Sequence, residues 1–568
     1  MMASRMFSRS RGTIDRPDES PAGKLESPVG KVMFAKIACL WLVGVWFSPW
    51  GVFDSRCLAE SPVAGAAAAP HPQMVVVCPT EFQQALGPLV DRRTADGISV
   101  RVLPSGRSAA EVLRQIVAVA TPETTRYVLL IGDCALGQSD GGSDPRFEVP
   151  TLHRPATVTA QWGTTAKLPG DTFYGDFDGD GMPEAVVGRI PVDLPRQLSD
   201  YIHRVIAYET STDFGAWRRR VQLTAGVGGF GFFADAAIES VTRGMVTSSL
   251  PASTRTHVTY ASPSSPFNPG LEQFQDAVLG QYKRGARFWV YAGHGNVTEL
   301  DRVPQTQAGR PVLSVNDLDR LKLDQPNPPI ALMFACYTGA FDAREDCLAE
   351  RMLLAEEGPI AVLAGSRVTL PYGNAAVASG LIRAVYEDRV ERLGDGWLTA
   401  LRELATDSRQ SESLRQRRAV IDTLASLISP KAVDLPAERR EHMQLYNLMG
   451  DPTLRLRHPE TVPLDPLAKA AEGETISITG ESPLAGELTL SLHRAIGSLP
   501  SGIADDQRYK AVNDTELVRT RIQIAEPGRF SAKLRLPALA TGILHVVAHI
   551  KNADRFAVGD SRILVYAP

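Results

Sequence analysis

FWVYAGHG (residues 288–295) and IALMFAC (330–336) decide the fold. Each is a short apolar run that ends on small residues and then on one reactive side chain, His294 in the first and Cys336 in the second. Such runs match strands buried on both faces, the pattern of a parallel sheet covered by helices. In open α/β sheets, ligands bind beyond the carboxyl ends of the strands. If these two strands are neighbours, an imidazole and a thiol face one crevice. A thiol near a histidine can become a thiolate, the form that attacks a carbonyl carbon. The N–H groups of Gly295 and Cys336 can point at the oxyanion that this attack creates. The plainer alternative is a small buried Cys336 and a His294 that only occupies a loop.

The chain around these runs alternates strands and helices. Strands are expected at Met74–Cys78, Ile98–Leu103 and Tyr127–Ile131, with helical stretches at Glu81–Leu86, stopped by Gly87-Pro88, and at Ala109–Ala120. Residues 135–170, rich in Gly, Ser, Pro and Thr, are expected to form a long surface loop. A second block opens with strand Val221–Ala225 and continues through helix Phe233–Val246, strand His257–Tyr260 and helix Gly270–Arg284. A further strand is expected at Ile360–Ala364, then helices over 375–390, 397–407 and 412–428. Met443–Met449 is expected to be helical and to stop at Gly450-Asp451-Pro452, a structural turn. After Pro459 short alternating runs at 475–479, 487–492, 518–524, 529–534, 543–550 and 561–566 predict a β-sandwich. The domains are therefore residues 1–60 (tail and signal peptide), 74–220 (first α/β subdomain), 221–459 (catalytic α/β subdomain) and 460–568 (β-sandwich).

Composition narrows the class. The net charge is −4, which argues against a dedicated nucleic-acid binder. Apolar residues make up 44% and charged residues 22%, so the chain has the means to build globular cores. Six cysteines in 568 residues are too few for a disulfide framework. Ile37–Phe47 is an uninterrupted apolar or glycine run after Lys36, with small residues at Ala64–Ala69. That order is the order of a secretory signal, with Met33 as a candidate start. The run is short for a span of roughly 20 residues. We therefore expect a secreted, periplasmic or cell-surface protein, bound to a membrane only if this segment stays uncleaved.

DFDGDGMPE (176–184) is a second constellation. Asp176, Asp178, Asp180 and Glu184 alternate with small residues and could wrap a hard cation such as calcium. The full calcium-hand spacing is missing, because Val187 stands where a glutamate would close the loop. The alternative is an acidic turn in which the aspartates bond their own backbone.

YAGHGN (291–296), FACYTGAF (334–341) and LMGDPTL (448–454) together resemble the signatures of the gingipain family of cysteine peptidases. YVLLIGD (127–133), FYGD (173–176), GRIP (188–191), CLAERM (347–352) and GPIAVLA (358–364) extend the resemblance along the chain. It implies a caspase-like α/β fold of two subdomains, largely parallel sheets with helices on both faces, followed by an immunoglobulin-like β-sandwich. It implies a peptidase that acts on proteins or peptides through a thioester. His294 would be the base, Cys336 the nucleophile, and Gly295 and Cys336 the backbone oxyanion donors. Cys347 would be a second, non-catalytic cysteine. No cofactor is implied for catalysis, and structural calcium is. Active relatives carry a glutamate before a Gly-Gly pair; here Val227 precedes Gly228-Gly229, which implies a Cys-His dyad. Asp235 matches the acid that selects a basic P1 residue, or else caps the helix near Phe233. Tyr372 matches an aromatic lid on that pocket. The missing acid also keeps open an inactive relative that serves as a cell-surface binding or self-processing module.

Overall fold

The computed structural model describes residues 71–134, 144–228, 249–304, 309–407, 410–428, 434–499, 502–538 and 540–567. Within them the two expected α/β subdomains share one ten-stranded sheet. Its strands in chain order are β1 (Gln73–Val77), β2 (Ser99–Leu103), β3 (Thr125–Ile131), β4 (Val186–Ile190), β5 (Arg220–Ala225), β6 (Arg255–Tyr260), β7 (Phe288–Ala292), β8 (Ile330–Phe334), β9 (Ala361–Gly365) and β10 (Tyr446–Met449). They lie in the order β2-β1-β3-β4-β10-β9-β8-β7-β5-β6.

Every pairing is parallel except β9 with β10, which is antiparallel. The sheet is thus two parallel five-stranded halves running in opposite directions and joined at one seam. The register there is Val362–Met449, Leu363–Leu448, Ala364–Asn447 and Gly365–Tyr446. As a result, the carboxyl ends of β5–β9 and the amino ends of the first half share one edge. Segments that enter β4 and β10 therefore come alongside the ends of β7 and β8.

Burial on both faces explains the strand sequences. β1, β4, β9 and β10 are almost wholly buried and mostly apolar, with Arg189 in β4 and Asn447 in β10 as buried polar exceptions. Helix Pro195–Thr210 covers the sheet with Leu198, Tyr201, Ile202 and Val205, spaced to share one helical face.

Three elements depart from the sequence-based expectation. Met443–Met449 is not one helix: a helix ends at Leu445 and Tyr446–Met449 is the seam strand. A fully buried run of four residues has no periodicity to separate the two conformations. Gly87-Pro88 does not stop the first helix, which runs from Gln83 to Ala95. Pro88 removes one donor, while Leu86, Leu89 and Arg93 still bury one side of the helix. The expected long loop contains a hairpin, Leu152–Pro155 with Lys167–Gly170, packed on the shared edge. Its residues 135–143 lie outside the described residues, as do 229–248, which hold most of the expected helix Phe233–Val246.

After residue 460 the chain forms a β domain with its own core, including Ile478, Leu490, Phe530, Leu534, Val546 and Ile563. A mostly antiparallel sheet, built mainly on Gly486–Arg494, Glu516–Ile524, Gly542–Lys551 and Phe556–Tyr566, faces the two-stranded ribbon Thr475–Ser482 with Gly528–Arg535. It meets the large sheet at β6. There the Asn513 amide accepts the Val258 N–H at 2.7 Å and donates to the Val258 carbonyl at 2.9 Å.

A buried ion network holds the turn after β10. Arg93 donates to Asp451 at 2.6 Å and to Glu209 at 2.8 and 3.0 Å, and none of the three is appreciably exposed. The second Asp451 oxygen accepts the Thr453 N–H and hydroxyl at 2.8 and 2.6 Å. Gly450 adopts φ +127°, and a Cβ there would lie 2.8 Å from the Tyr201 hydroxyl. Removing one partner strands a buried charge, at a cost of about 3–5 kcal/mol. Asp451→Ala should lower unfolding stability by an amount of that order, measured by denaturant titration; a loss under about 1 kcal/mol would mean the network does not hold the turn.

Candidate active site

The last paired rung between β7 and β8 is Ala292 with Phe334. His294 and Cys336 stand two residues beyond that rung, one on each strand. Adjacent parallel strands thus bring both side chains to the same edge at the same level. Beyond the ladder the two backbones stay in contact, with the Gly293 N–H bonded to the Phe334 carbonyl at 3.2 Å. Gly295 is packed so tightly that a Cβ would lie 2.8 Å from Thr338 Cγ2, 3.0 Å from Ala335 Cβ and 3.1 Å from the Cys336 carbonyl oxygen. Gly295 pairs with Leu300 in a bridge whose bonds come from its neighbours, Asp301 N–H to His294 O and Asn296 N–H to Glu299 O. That pairing leaves the Gly295 N–H out of the bonds of this bridge.

Cys336 is half-buried. The Thr369 N–H points at its sulfur at 3.4 Å, and the Thr369 carbonyl lies 3.6 Å from it. Thr369 follows β9, so three consecutive strands of the sheet reach this spot. Tyr337, next to the thiol, has φ +59°, a region that costs a non-glycine residue about 1–3 kcal/mol and is typical of functional turns. Its N–H bonds to the Arg367 carbonyl at 3.1 Å, which holds the turn in that shape.

The start of helix Leu348–Leu354 ties the two loops together. The Leu348 N–H donates to Val297 O at 2.7 Å and the Ala349 N–H to Thr338 O at 3.0 Å. Cys347 sits at this helix start, fully buried, with its own N–H on Glu350 at 2.7 Å. This gives CLAERM a mechanical role, spacing the histidine loop from the cysteine loop.

The other expected site residues divide. Asp176, Asp178 and Glu184 converge, with one carboxylate oxygen of each within 4.8 Å of the others. Asp180 stands outside this group and accepts the Met182 N–H at 2.7 Å. Burial raises the pKa of Asp176 and of Glu184, and their acidic neighbours add to the effect. Tyr372 does not stand as an open lid: it is 7% exposed, packs with Ile421 and Ala425, and donates to Asp422 at 2.8 Å. A tyrosine at a helix start near the site could face either way, and the apolar side of helix Glu412–Ile428 decides it. Asp235 lies outside the described residues. Sequence reasoning missed Thr369, whose role is made by a backbone N–H that any residue carries. It also missed Tyr291 and Asp301, which bracket the His294 loop.

The family that the sequence matches defines a cysteine peptidase. The chain matches the model of peptidase family C25 over residues 67–457 and belongs to that family. Among solved structures it is similar to the Arg-specific cysteine proteinase gingipain R, at 15% identity and a TM-score of 0.50, over 89% of this chain and 100% of that one. It also matches the complex of Porphyromonas gingivalis RgpB pro- and mature domains, at 14% identity and a TM-score of 0.48, over 86% and 100% of the two chains. No curated protein sequence matches it.

The cysteines differ sharply in environment. Burial pushes the Cys78 and Cys134 thiols up to about 12 and Cys347 well above its ordinary value. Only the thiolate reacts quickly. Limiting iodoacetamide at neutral pH should therefore label Cys336 before Cys78, Cys134 and Cys347 in the folded protein. Peptide mass mapping that finds equal labelling of all four would contradict this ordering.

Proposed function

We propose that this chain is an exported cysteine endopeptidase in which Cys336 is the nucleophile and His294 the acid–base partner. The observation that carries the reading is the apposition of the ends of β7 and β8, with Gly295 against the backbone of Cys336. In the first step the Cys336 thiolate adds to the scissile carbonyl carbon, and the oxyanion takes the N–H groups of Gly295 and Cys336. The tetrahedral adduct collapses, the C–N bond breaks, and the His294 imidazolium gives its proton to the leaving amine. Water then attacks the thioester with His294 as base, releasing the acid and restoring the thiol. The Thr369 N–H supports the thiolate through the 3.4 Å contact to sulfur.

Two finer proposals go with this. Asp235 would pair with a basic P1 side chain, arginine above lysine where the contact is bidentate. Export would use the apolar segment Ile37–Phe47, and the β domain after residue 460 would be an immunoglobulin-like module, a reading supported by its two facing layers.

We also propose a structural calcium ion at Asp176, Asp178 and Glu184. The residues fit: three carboxylates face one another, and like charges that close favour a cation between them. Asp176 accepts the N–H groups of Gly179 and Gly181 at 2.9 and 3.0 Å, so the loop is already shaped. The ion would brace the entry to β4.

Cys336→Ala should abolish peptide hydrolysis, and His294→Ala should lower it by a factor on the order of 10² or more with the melting curve unchanged. On substrates that differ only at P1, Asp235→Asn should cut kcat/KM for arginyl peptides by about 30- to 1,000-fold and spare neutral ones. A wild-type preference for neutral or acidic P1 residues would remove Asp235 as selector. For the metal, EDTA should lower the melting temperature of the wild type and not that of Asp178→Asn; an unchanged wild-type curve would exclude the ion.

A further inference from the structure

The His294 carbonyl is held from two sides. It accepts the Tyr291 hydroxyl at 2.8 Å and the Asp301 N–H at 3.1 Å. The two donors also meet, the Asp301 N–H lying 3.2 Å from the Tyr291 oxygen. The Asp301 carboxylate reaches to the end of β5, where Oδ2 accepts the Val227 N–H at 3.0 Å. Two glycines make room for this cluster. A Cβ on Gly226 would lie 2.5 Å from Asp301 Oδ2 and 2.7 Å from the Tyr291 hydroxyl, and one on Gly293 would lie 2.6 Å from the same hydroxyl.

Asp301 is only 7% exposed and Tyr291 is fully buried. Burying a carboxylate is costly, and the acylation scheme above gives this one no task. Its position next to the base loop supplies one. When Cys336 gives up its proton, His294 becomes a cation, and a fixed negative charge nearby favours that state. Base-assisted nucleophiles commonly have a third group that orients the base. Among the described residues, the charged groups on this loop are otherwise engaged. Glu299 and Arg302 pair with each other at 2.7 Å. Burial, and after it the Asp301 charge, pushes the Tyr291 hydroxyl well above its ordinary value, so it remains a donor at neutral pH.

We propose that Asp301 is the positioning residue for His294, its N–H fixing the backbone that carries the imidazole and its carboxylate stabilising the imidazolium. The inference rests on the Cys336–His294 reading of the site and supplies a third group from the loop after the histidine.

The test uses the full chain with Asp301→Asn, which keeps the shape and an acceptor for Val227. Two measurements are made. In the first, kcat should fall about tenfold or more with KM nearly unchanged. The alkaline limb of the kcat/KM profile should move to lower pH by about half a unit or more, because the imidazolium loses its counter-charge. Asp301→Glu should recover part of that limb, and Tyr291→Phe should slow turnover without moving it. In the second, the His294 imidazole is titrated by NMR, with its signal assigned by loss in His294→Ala. Its pKa should be lower in Asp301→Asn than in the wild type. An unmoved limb and an unmoved His294 titration would overturn the role of Asp301. If the wild type shows no turnover that depends on Cys336, the peptidase reading of the site fails, and the NMR comparison still decides the coupling. If Asp301→Asn does not fold, Asp301→Ser, which also removes the charge, takes its place in the NMR titration, and an unmoved His294 value in that folded variant counts against the proposal.

Discussion

The antiparallel seam between β9 and β10 is the constraint on which the rest depends. A purely parallel ten-stranded sheet would send every strand end that could carry chemistry to one edge, and every strand entry to the other. Reversing the direction at Ala361–Gly365 against Tyr446–Met449 puts strand ends and strand entries side by side. The reactive ends of β7 and β8 thereby gain neighbours from the first half of the chain. Ser366 bonds the Pro169 carbonyl at 2.9 Å, and Arg367 reaches Thr165 at 2.7 Å. Asp342, in the loop after Cys336, takes both His153 and Arg367, and hydrogen bonds from these two side chains hold its pKa down to about 2 despite burial. The loop that carries the thiol is thus pinned by residues from three separate stretches of sequence.

Precision at the site comes mainly from backbone groups. Glycines at 226 and 293 let the Tyr291 hydroxyl, and at 226 the Asp301 carboxylate, approach their main chain to distances that a Cβ would forbid, and Gly295 does the same for Thr338, Ala335 and the Cys336 carbonyl. N–H groups at 348, 349 and 369 then fix the loops and face the sulfur. Such groups cost no side-chain entropy to order and cannot swing away, which suits a reaction sensitive to small displacements.

The same fact sets what could be read from the sequence. The strands were legible because β3, β7, β8 and β9 are apolar runs bounded by glycine or polar turns. His294 and Cys336 were legible as reactive side chains placed just beyond two of those runs. The single continuous sheet was not, because direction and order are set by pairing across distant segments and leave no local mark. Tyr446–Met449 is too short and too uniformly buried to show a period. Thr369 acts through an N–H that has no identity in the sequence, and Asp301 stands in ELDRV, where nothing separates it from a surface acid. The orientation of Tyr372 depends on helix Glu412–Ile428, about forty residues further along.

The Asn513 amide on Val258 has a consequence beyond joining two domains. β6 is the last strand of the large sheet, and its outer side would otherwise display unpaired N–H and carbonyl groups to solvent. Open edges of that kind recruit further strands from other chains. The short helix Arg508–Asn513 occupies this one, its Asn513 side chain imitating a rung of the ladder while Tyr509 meets His257 and Thr259 at 2.9 and 2.8 Å. The β domain therefore works as a guard against self-association, and a chain shortened before it would carry a ready template for aggregation on its flank.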